Sequence, residues 1–391
     1  MRVLYILHST QATSGATKAL LGLIQQLVPK GITPFFIVPG KEGVYNILIK
    51  NNYKVYNIPF KMSIYPNRRC ISDKVSFIPK LICRTIINIF ALIRIIRLAK
   101  MLHPDIIHTN TSVVNLGRIA AKSLNIPHIQ HIREYSKYGN HGIYFHYFPS
   151  WRYVHNSMKK DNSCNICITK DIESHHELTH SANTVVVYDG VHSVMQKMPN
   201  KEKEPYFLYA GRIEYIKGLD ILLHAYEHYK ENVNHPYILY VAGETADNLY
   251  YNEITHFINC HQLEDYVHFL GNVDKIEELM QKAAALIIPS RFEGFGFCMP
   301  EAMFNGCLCI GNYVAGTKEQ IDNGEAFVKE KIALSYSTEK ELTDCLIKIH
   351  KTDDNHWTSI KDFAFKTVNT LYTNEKSAEV IFQIYNNIIK S

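Results

Sequence analysis

The stretch ALIIPSRFEGFGFCMPEAMFNG, residues 285–306, opens with four apolar residues, Ala285 to Ile288, that Pro289 and Ser290 close. A short apolar run ended this way suits a buried strand. Pro300 suits the first position of a following helix, where its missing N–H would be unpaired anyway, and Gly306 suits the helix stop. A strand, a glycine-bearing loop and a helix start aim free backbone N–H groups and the positive helix end at one point. Gly294 and Gly296, on either side of Phe295, let an anionic group approach the backbone closely. Glu293 in the loop and Glu301 in the first helical turn flank that point, and a carboxylate there accepts hydrogen bonds from vicinal hydroxyls. These residue types point to a phosphate or a sugar.

The same strand, turn and helix pattern recurs. Residues 206–210 form an apolar run that leads into Gly211-Arg212-Ile213-Glu214-Tyr215-Ile216-Lys217-Gly218, followed by helical periodicity from Leu219 to Tyr229. Arg212 and Lys217, five apart on a glycine-flanked turn, suit a diphosphate gripped from two sides. At the other end of the chain, Arg2 to Leu7 reads as a strand, and a polar loop with Gly15 precedes a helix from Ala16 to Val28. Further apolar runs lie at 34–38, 54–58, 105–111, 126–135, 166–170, 184–191, 237–242 (ending at Gly243), 267–273 (ending at Asn272 and Val273) and 308–311. Strands alternating with helices predict parallel, doubly wound sheets of the α/β class.

With 391 residues, 46% of them apolar, the chain is long enough for two domains. A net charge of +5 does not suit a nucleic-acid binder, whose basic residues form a dense stripe. Nine scattered cysteines and an N-terminus without signal-peptide character lead us to expect reduced thiols in the cytoplasm. Cys164 and Cys167 form a lone CxxC without a second pair, which reads as strand cysteines rather than a zinc or redox site.

Glu293, seven residues and Glu301, set in Pro-Ser-Arg-Phe-Glu-Gly-Phe-Gly-Phe, resemble the signature of the retaining glycosyltransferase family 4, of GT-B fold. Ala210-Gly211-Arg212 with Lys217-Gly218 resembles that family's diphosphate-binding turn, and Ser14-Gly15-Ala16 its N-terminal glycine loop. The resemblance implies two Rossmann-like domains facing across a cleft. Residues 1–190 would be the acceptor side, 191–205 a linker, 206–370 the nucleotide-sugar domain, and 371–391 a helix packing back on the first domain. It also implies a donor site of Gly15, Arg212, Lys217, Gly243, Asn272, Val273, Glu293, Gly294, Phe295, Gly296 and Glu301, with Arg212, Lys217 and Glu293 in catalysis. Val314 to Glu319 resembles a further loop near the donor. For the strand end near the reacting sugar, His131 is the candidate by residue type and Arg133 by position, and both stay open. Where the family usually has asparagine, this chain has Asp189. The implied reaction moves a sugar from a nucleotide diphospho-sugar to a glycan or lipid-linked acceptor in cell-surface polysaccharide synthesis. The sequence contains no Asp-x-Asp motif, so we expect no metal and no cofactor beside the donor substrate.

Residues 78–102 read as a basic, strongly apolar helix, with Lys80, Arg84, Arg94, Arg97 and Lys100 among many isoleucines. Charges spread along it exclude a bilayer span. Two readings remain: a helix lying on an anionic membrane surface, which makes the chain a peripheral protein of the inner face, and a core helix with solvated charges. The aromatic stretch 135–153 could stack on acceptor sugars or pack as a loop. Rival functions are a glycosidase, a nucleotide-sugar epimerase and a non-catalytic carbohydrate-binding GT-B scaffold. The Arg212 and Lys217 turn argues against the first, since a glycosidase needs two opposed carboxylates and no diphosphate grip.

Overall fold

The computed structural model describes residues 1–66, 71–136, 146–159 and 163–390. They divide into two compact units, Met1–Gly190 with Asn374–Ser391, and Val191–Thr373. Tyr138, Tyr144 and Phe145 of the aromatic stretch lie outside the described residues.

In the first unit, β1 (Arg2–Ile6), β2 (Thr33–Val38), β3 (Lys54–Asn57), β4 (Ile106–Thr109), β5 (His128–Ile132), β6 (Ser163–Cys167) and β7 (Thr184–Val186) alternate with helices. Those helices are α1 (Gly15–Leu27), α2 (Val44–Lys50), α3 (Ile71–Val75), α4 (Phe77–Leu102), α5 (Leu116–Leu124), α6 (Trp151–Lys159) and α7 (Lys170–His175). The sheet is parallel throughout, in the order β3-β2-β1-β4-β5-β6-β7. Helices on both faces explain why its central strands are apolar at successive positions instead of alternate ones. Val3 and Tyr5 of β1 pack toward α1, and Leu4 and Ile6 toward α4 and α5.

The second unit holds β8 (Glu204–Ala210), β9 (Ile238–Ala242), β10 (Val267–Gly271), β11 (Ala283–Ile288), β12 (Cys309–Asn312) and β13 (Leu334–Tyr336). Its helices are α8 (Leu219–Glu231), α9 (Asn248–Cys260), α10 (Ile276–Lys282), α11 (Cys298–Phe304), α12 (Ala315–Val328), α13 (Glu339–Lys351) and α14 (Thr358–Leu371). This sheet is also parallel, in the order β10-β9-β8-β11-β12-β13. Leu219, Leu222 and Leu223 of α8 are fully buried against Phe207 and Tyr209, and each such leucine contributes about 2 kcal/mol. The last helix, α15 (Asn374–Lys390), belongs to the first unit, where Ala378, Ile381 and Tyr385 share a core with Leu20, Leu23 and Ile24 of α1.

Each sheet reverses its winding direction at one place, between β1 and β4 in the first unit and between β8 and β11 in the second. Ligands of open parallel sheets gather outside the strands' carboxyl ends at such a reversal.

Several boundaries differ from expectation. β8 starts at Glu204, within the stretch read as linker, because Glu204 already pairs with Ala283. Gly15 is the first residue of α1 rather than a loop residue, since the Ser14 hydroxyl caps the helix by accepting from Thr17 N. α11 starts at Cys298, so Pro300 is its third residue and Glu301 its fourth. Val314–Glu319 is the start of α12, not a loop.

Candidate functional site

Four loops of the second unit meet at the carboxyl ends of its strands. Gly211 N donates to Ala242 O (2.9 Å) and Gly243 N to Gly271 O (2.7 Å), which ties the ends of β8, β9 and β10 together. A Cβ on Gly243 would stand 1.9 Å from Gly211 O, and its φ is +152°, so only glycine fits there. Asn272 and Val273 follow directly, with Asn272 exposed.

The turn after β8 is held from inside and from beside. Tyr209 Oη donates to Arg212 O (2.9 Å), and Ile213 N to Glu244 O (2.9 Å). Gly218, at φ +68°, lies so close to the loop after β11 that a Cβ would be 2.1 Å from Pro289 O. That closeness brings Lys217 to Glu293: the ammonium donates to Glu293 Oε1 at 2.7 Å, and the Ser290 hydroxyl donates to the same oxygen at 2.7 Å. Burial pulls the Lys217 pKa down, but the Glu293 carboxylate outweighs it and the net shift is upward, so the ammonium stays charged at neutral pH. Arg212 turns to Glu214 instead, at 2.7 Å, with its side chain half exposed. The structure therefore joins Lys217 directly to Glu293, while Arg212 is held by a carboxylate of its own turn.

The Glu293 loop is fixed by Arg291 of its own stretch and by two residues of α12. The Arg291 guanidinium forks onto Asp220 of α8 (2.8 and 2.5 Å) and covers the Tyr215 ring at 3.9 Å. Gly316 N of α12 donates to Glu293 O (3.0 Å), and Gln320 Nε2 donates to Phe295 O (2.5 Å). Arg291 stands inside the quoted motif, and its bidentate geometry is the kind arginine makes with a carboxylate, but the partner sits 71 positions away and is invisible in the sequence. The Phe295 ring is 2% exposed and packs edge-on against Tyr372 (5.4 Å) and Phe297 (5.6 Å), so its side chain belongs to the core of the loop, and its carbonyl serves Gln320. Gly294 and Gly296 lie on either side of it, and Glu301, half-buried, stands on α11.

The first unit carries a separate buried cluster at its own reversal. Asn110, just past β4, donates through its amide N to Ala16 O of α1 (3.0 Å), next to Gly15. Its side-chain oxygen accepts from Arg133 Nη2 (3.3 Å). Arg133 also forms an ion pair with Asp189, both side chains nearly fully buried. The Asp189 carboxylate therefore meets a cation that an asparagine there would leave uncompensated. His131 lies 3.3 Å from His108 Nε2 through its Nδ1 and 4.0 Å from Asp189 Oδ1 through its Nε2. His108 continues the chain to Tyr385 Oη (2.6 Å), which meets Tyr5 Oη (3.0 Å). Burial holds the His131 pKa well below its ordinary value, aided by Arg133 and His108, so the ring is neutral. His131 and Arg133 thus belong to one network, with His131 1% and Arg133 8% exposed. The histidine at 108, visible as the polar end of an apolar run, is the link the sequence reading missed. Burial also raises the Cys164 thiol to about 11 and Cys167 further, which makes them unreactive strand cysteines.

The family described as glycosyl transferases group 1 matches residues 192–351. An uncharacterized glycosyltransferase of Methanocaldococcus jannaschii is 26% identical over 225 residues, 56% of this chain and 59% of that relative. An alpha-1,4-N-acetyl-D-galactosaminyltransferase of Campylobacter jejuni, whose name gives a GalNAc-bearing diNAcBac-PP-undecaprenol, is 30% identical over 148 residues, 37% of this chain and 40% of that relative. The chain thus spans less than two thirds of the length of these curated relatives. Among solved structures, HepE of Anabaena in complex with UDP superposes with a TM-score of 0.75 at 16% identity, covering 99% of this chain and 100% of that one. WaaG, a glycosyltransferase involved in lipopolysaccharide biosynthesis, gives 0.64 at 15% identity, covering 97% and 99%. Residues 192–351 are thus similar in sequence to group 1 glycosyl transferases, and the whole chain has the GT-B fold.

Proposed function

We propose that the second unit binds a nucleotide diphospho-sugar, and that the chain transfers the sugar, with retention of anomeric configuration, to a glycan or lipid-linked acceptor in cell-surface polysaccharide synthesis. The observation that carries this reading is the Lys217–Glu293 contact at the β8/β11 reversal. It sets a charged ammonium and a carboxylate side by side on glycine-lined loops. Arg212 and Lys217 meet the diphosphate, Glu301 the ribose hydroxyls, and Glu293 the transferred sugar. Charge that develops on the leaving diphosphate is then met by fixed cations and backbone N–H groups, with no metal required. Retention follows by internal return, the leaving phosphate assisting the acceptor hydroxyl on the same face. UDP in the HepE complex supports a uridine donor, and the undecaprenol-linked glycan in the Campylobacter relative's name supports a lipid-linked acceptor. Such an acceptor places the chain at an anionic membrane surface on the cytoplasmic side, with residues 78–102 in contact.

The test is turnover of Lys217→Ala and Glu293→Ala with a UDP-sugar and a lipid-linked glycan, with and without EDTA. Each variant should lose about 10²–10³ in kcat, the loss typical of removing one preorganised charge-stabilising group, and EDTA should change nothing. Full turnover in either variant would refute the assignment. No turnover by the wild type on any donor would favour the non-catalytic scaffold.

A further inference from the structure

Helix α4 buries one face and exposes the other. Phe77, Ala91, Ile95, Leu98, Ala99 and Leu102 point into the first unit's core. On the opposite side Ile78, Ile82, Ile86, Ile89, Phe90 and Ile93 remain between 41% and 65% exposed. At 100° per residue these six fall on one stripe, about 22 Å long. Ile71 and Val75 of the preceding α3 are also exposed. An exposed apolar stripe of this size marks a surface that something covers. Among the described residues no helix is long and apolar enough to cross a membrane.

Charge selects the partner. By the same periodicity Arg97 and Lys100 continue the stripe's side of α4 into its last two turns. Beside them opens a groove of about 590 Å³ lined by Lys41, Tyr56, Asn57, Arg94, Arg97 and Met101 among others, and no carboxylate is in its lining. Arg94 is fixed at the rim by donating to Asn57 O (3.1 Å). An apolar stripe leading into a groove with three cations is complementary to acyl chains beneath a layer of anionic phosphate.

We propose that the exposed face of α3 and α4 inserts into the acyl region of an anionic bilayer, and that the Lys41, Arg94 and Arg97 groove seats the phosphate of one lipid headgroup. This rests on the membrane-proximal reading above and gives it a site. The stripe lies along the interface, its isoleucines below the phosphate level and the groove at that level. Lys80 adds little, because Asp73 already pairs with it at 3.0 Å.

The experiment is flotation of the full chain with phosphatidylcholine vesicles, with and without about one third phosphatidylglycerol. The wild type should float only with the anionic vesicles. Ile82→Ser/Ile86→Ser/Ile89→Ser, which touches no core residue, should lose binding by about 100-fold while melting as the wild type does. Arg94→Gln/Arg97→Gln should bind about 30-fold more weakly, the fold-change that corresponds to about 1 kcal/mol per basic residue near the surface. Lys41→Gln should weaken binding about fivefold and Lys122→Gln, an exposed cation outside the groove, should not. Equal losses in Lys41→Gln and Lys122→Gln would reduce the groove to diffuse charge and overturn the headgroup site. Equal flotation with neutral vesicles would overturn the anionic partner. A wild-type dimer in solution that the triple serine variant abolishes, without vesicle binding, would assign the stripe to a second copy of the chain instead. Nucleotide-sugar stabilisation of the second unit, measured on the same samples, separates the two proposals. If it persists while vesicles fail, the lipid seat is wrong and the donor site stands.

Discussion

Acid should unfold the first unit before the second. Every histidine among the described buried residues, His108, His128, His131, His155 and His176, belongs to the first unit. Burial lowers four of them. His108 falls to about 3 and His176 to about 4 from an ordinary 6.5, and His128 and His131 fall well below it. Each ring is neutral when folded and takes up a proton on unfolding below pH 6.5. Their stabilising contribution is therefore present above about pH 6.5 and is lost as pH falls from there toward the lowered folded values. One pH unit below 6.5, each group costs about 1.4 kcal/mol. All four rings are neutral in the fold at pH 5.5 and independent in the unfolded chain, so together they cost about 5–6 kcal/mol. In a unit of about 200 residues this lowers the melting temperature by roughly 10–24 °C between pH 7.5 and 5.5. The chain has two tryptophans, and they separate the units: Trp151 opens α6 in the first and Trp357 is buried in the second. Fluorescence melts of Trp357→Phe report the first unit and those of Trp151→Phe the second. A flat Trp151 transition over this pH range, or two transitions that fall in parallel, would refute the reasoning.

Two further outcomes follow from the packing. Gly243→Ala forces a Cβ to within 1.9 Å of Gly211 O at a φ of +152°, and should destabilise the second unit by about 1–3 kcal/mol; an unchanged Trp357 melt would contradict it. Asp189→Ala strands the buried Arg133 guanidinium, and should cost the first unit about 3–5 kcal/mol, whereas an apolar replacement of both partners should recover most of that; equal losses in the single and double variants of the Trp151 melt would contradict the pairing.

Much of the fold was legible because parallel strands covered on both faces leave uninterrupted apolar runs, as in Val3 to Ile6 and Ala285 to Ile288. What the sequence hid was contact over distance. Lys217 and Glu293 were each legible as charged residues on glycine turns, but their 2.7 Å contact depends on Gly218 packing against Pro289 across 71 positions. Arg133 and Asp189 were read separately, one as a candidate and one as a departure from the family pattern. Only the sheet, which sets β5 one strand from β6 and β6 beside β7, brings them together. The inward turn of the Phe295 ring was not legible, because a single aromatic residue between two glycines carries no period to say which way the loop turns it. The α13 capping box, Thr338 with Glu341, was a local signal that could have been read from the sequence and was not. The two apolar faces of α4 could not be told apart without the core, since leucine, alanine and phenylalanine join the isoleucines to leave apolar residues all around the helix.

The most direct test of the donor site is the Trp357 melt in the presence of UDP-, GDP-, ADP- and CMP-sugars, with and without EDTA. A ligand at about one hundred times its Kd adds about 2.7 kcal/mol, which in a unit of this size raises the transition by roughly 5–10 °C. The lysine, arginine and glutamate placed at the β8/β11 reversal predict that rise for one nucleotide class, indifferent to EDTA and largely lost in Arg212→Ala/Lys217→Ala. No rise for any of the four classes, or a rise that the double variant keeps in full, would contradict a donor site built on these residues.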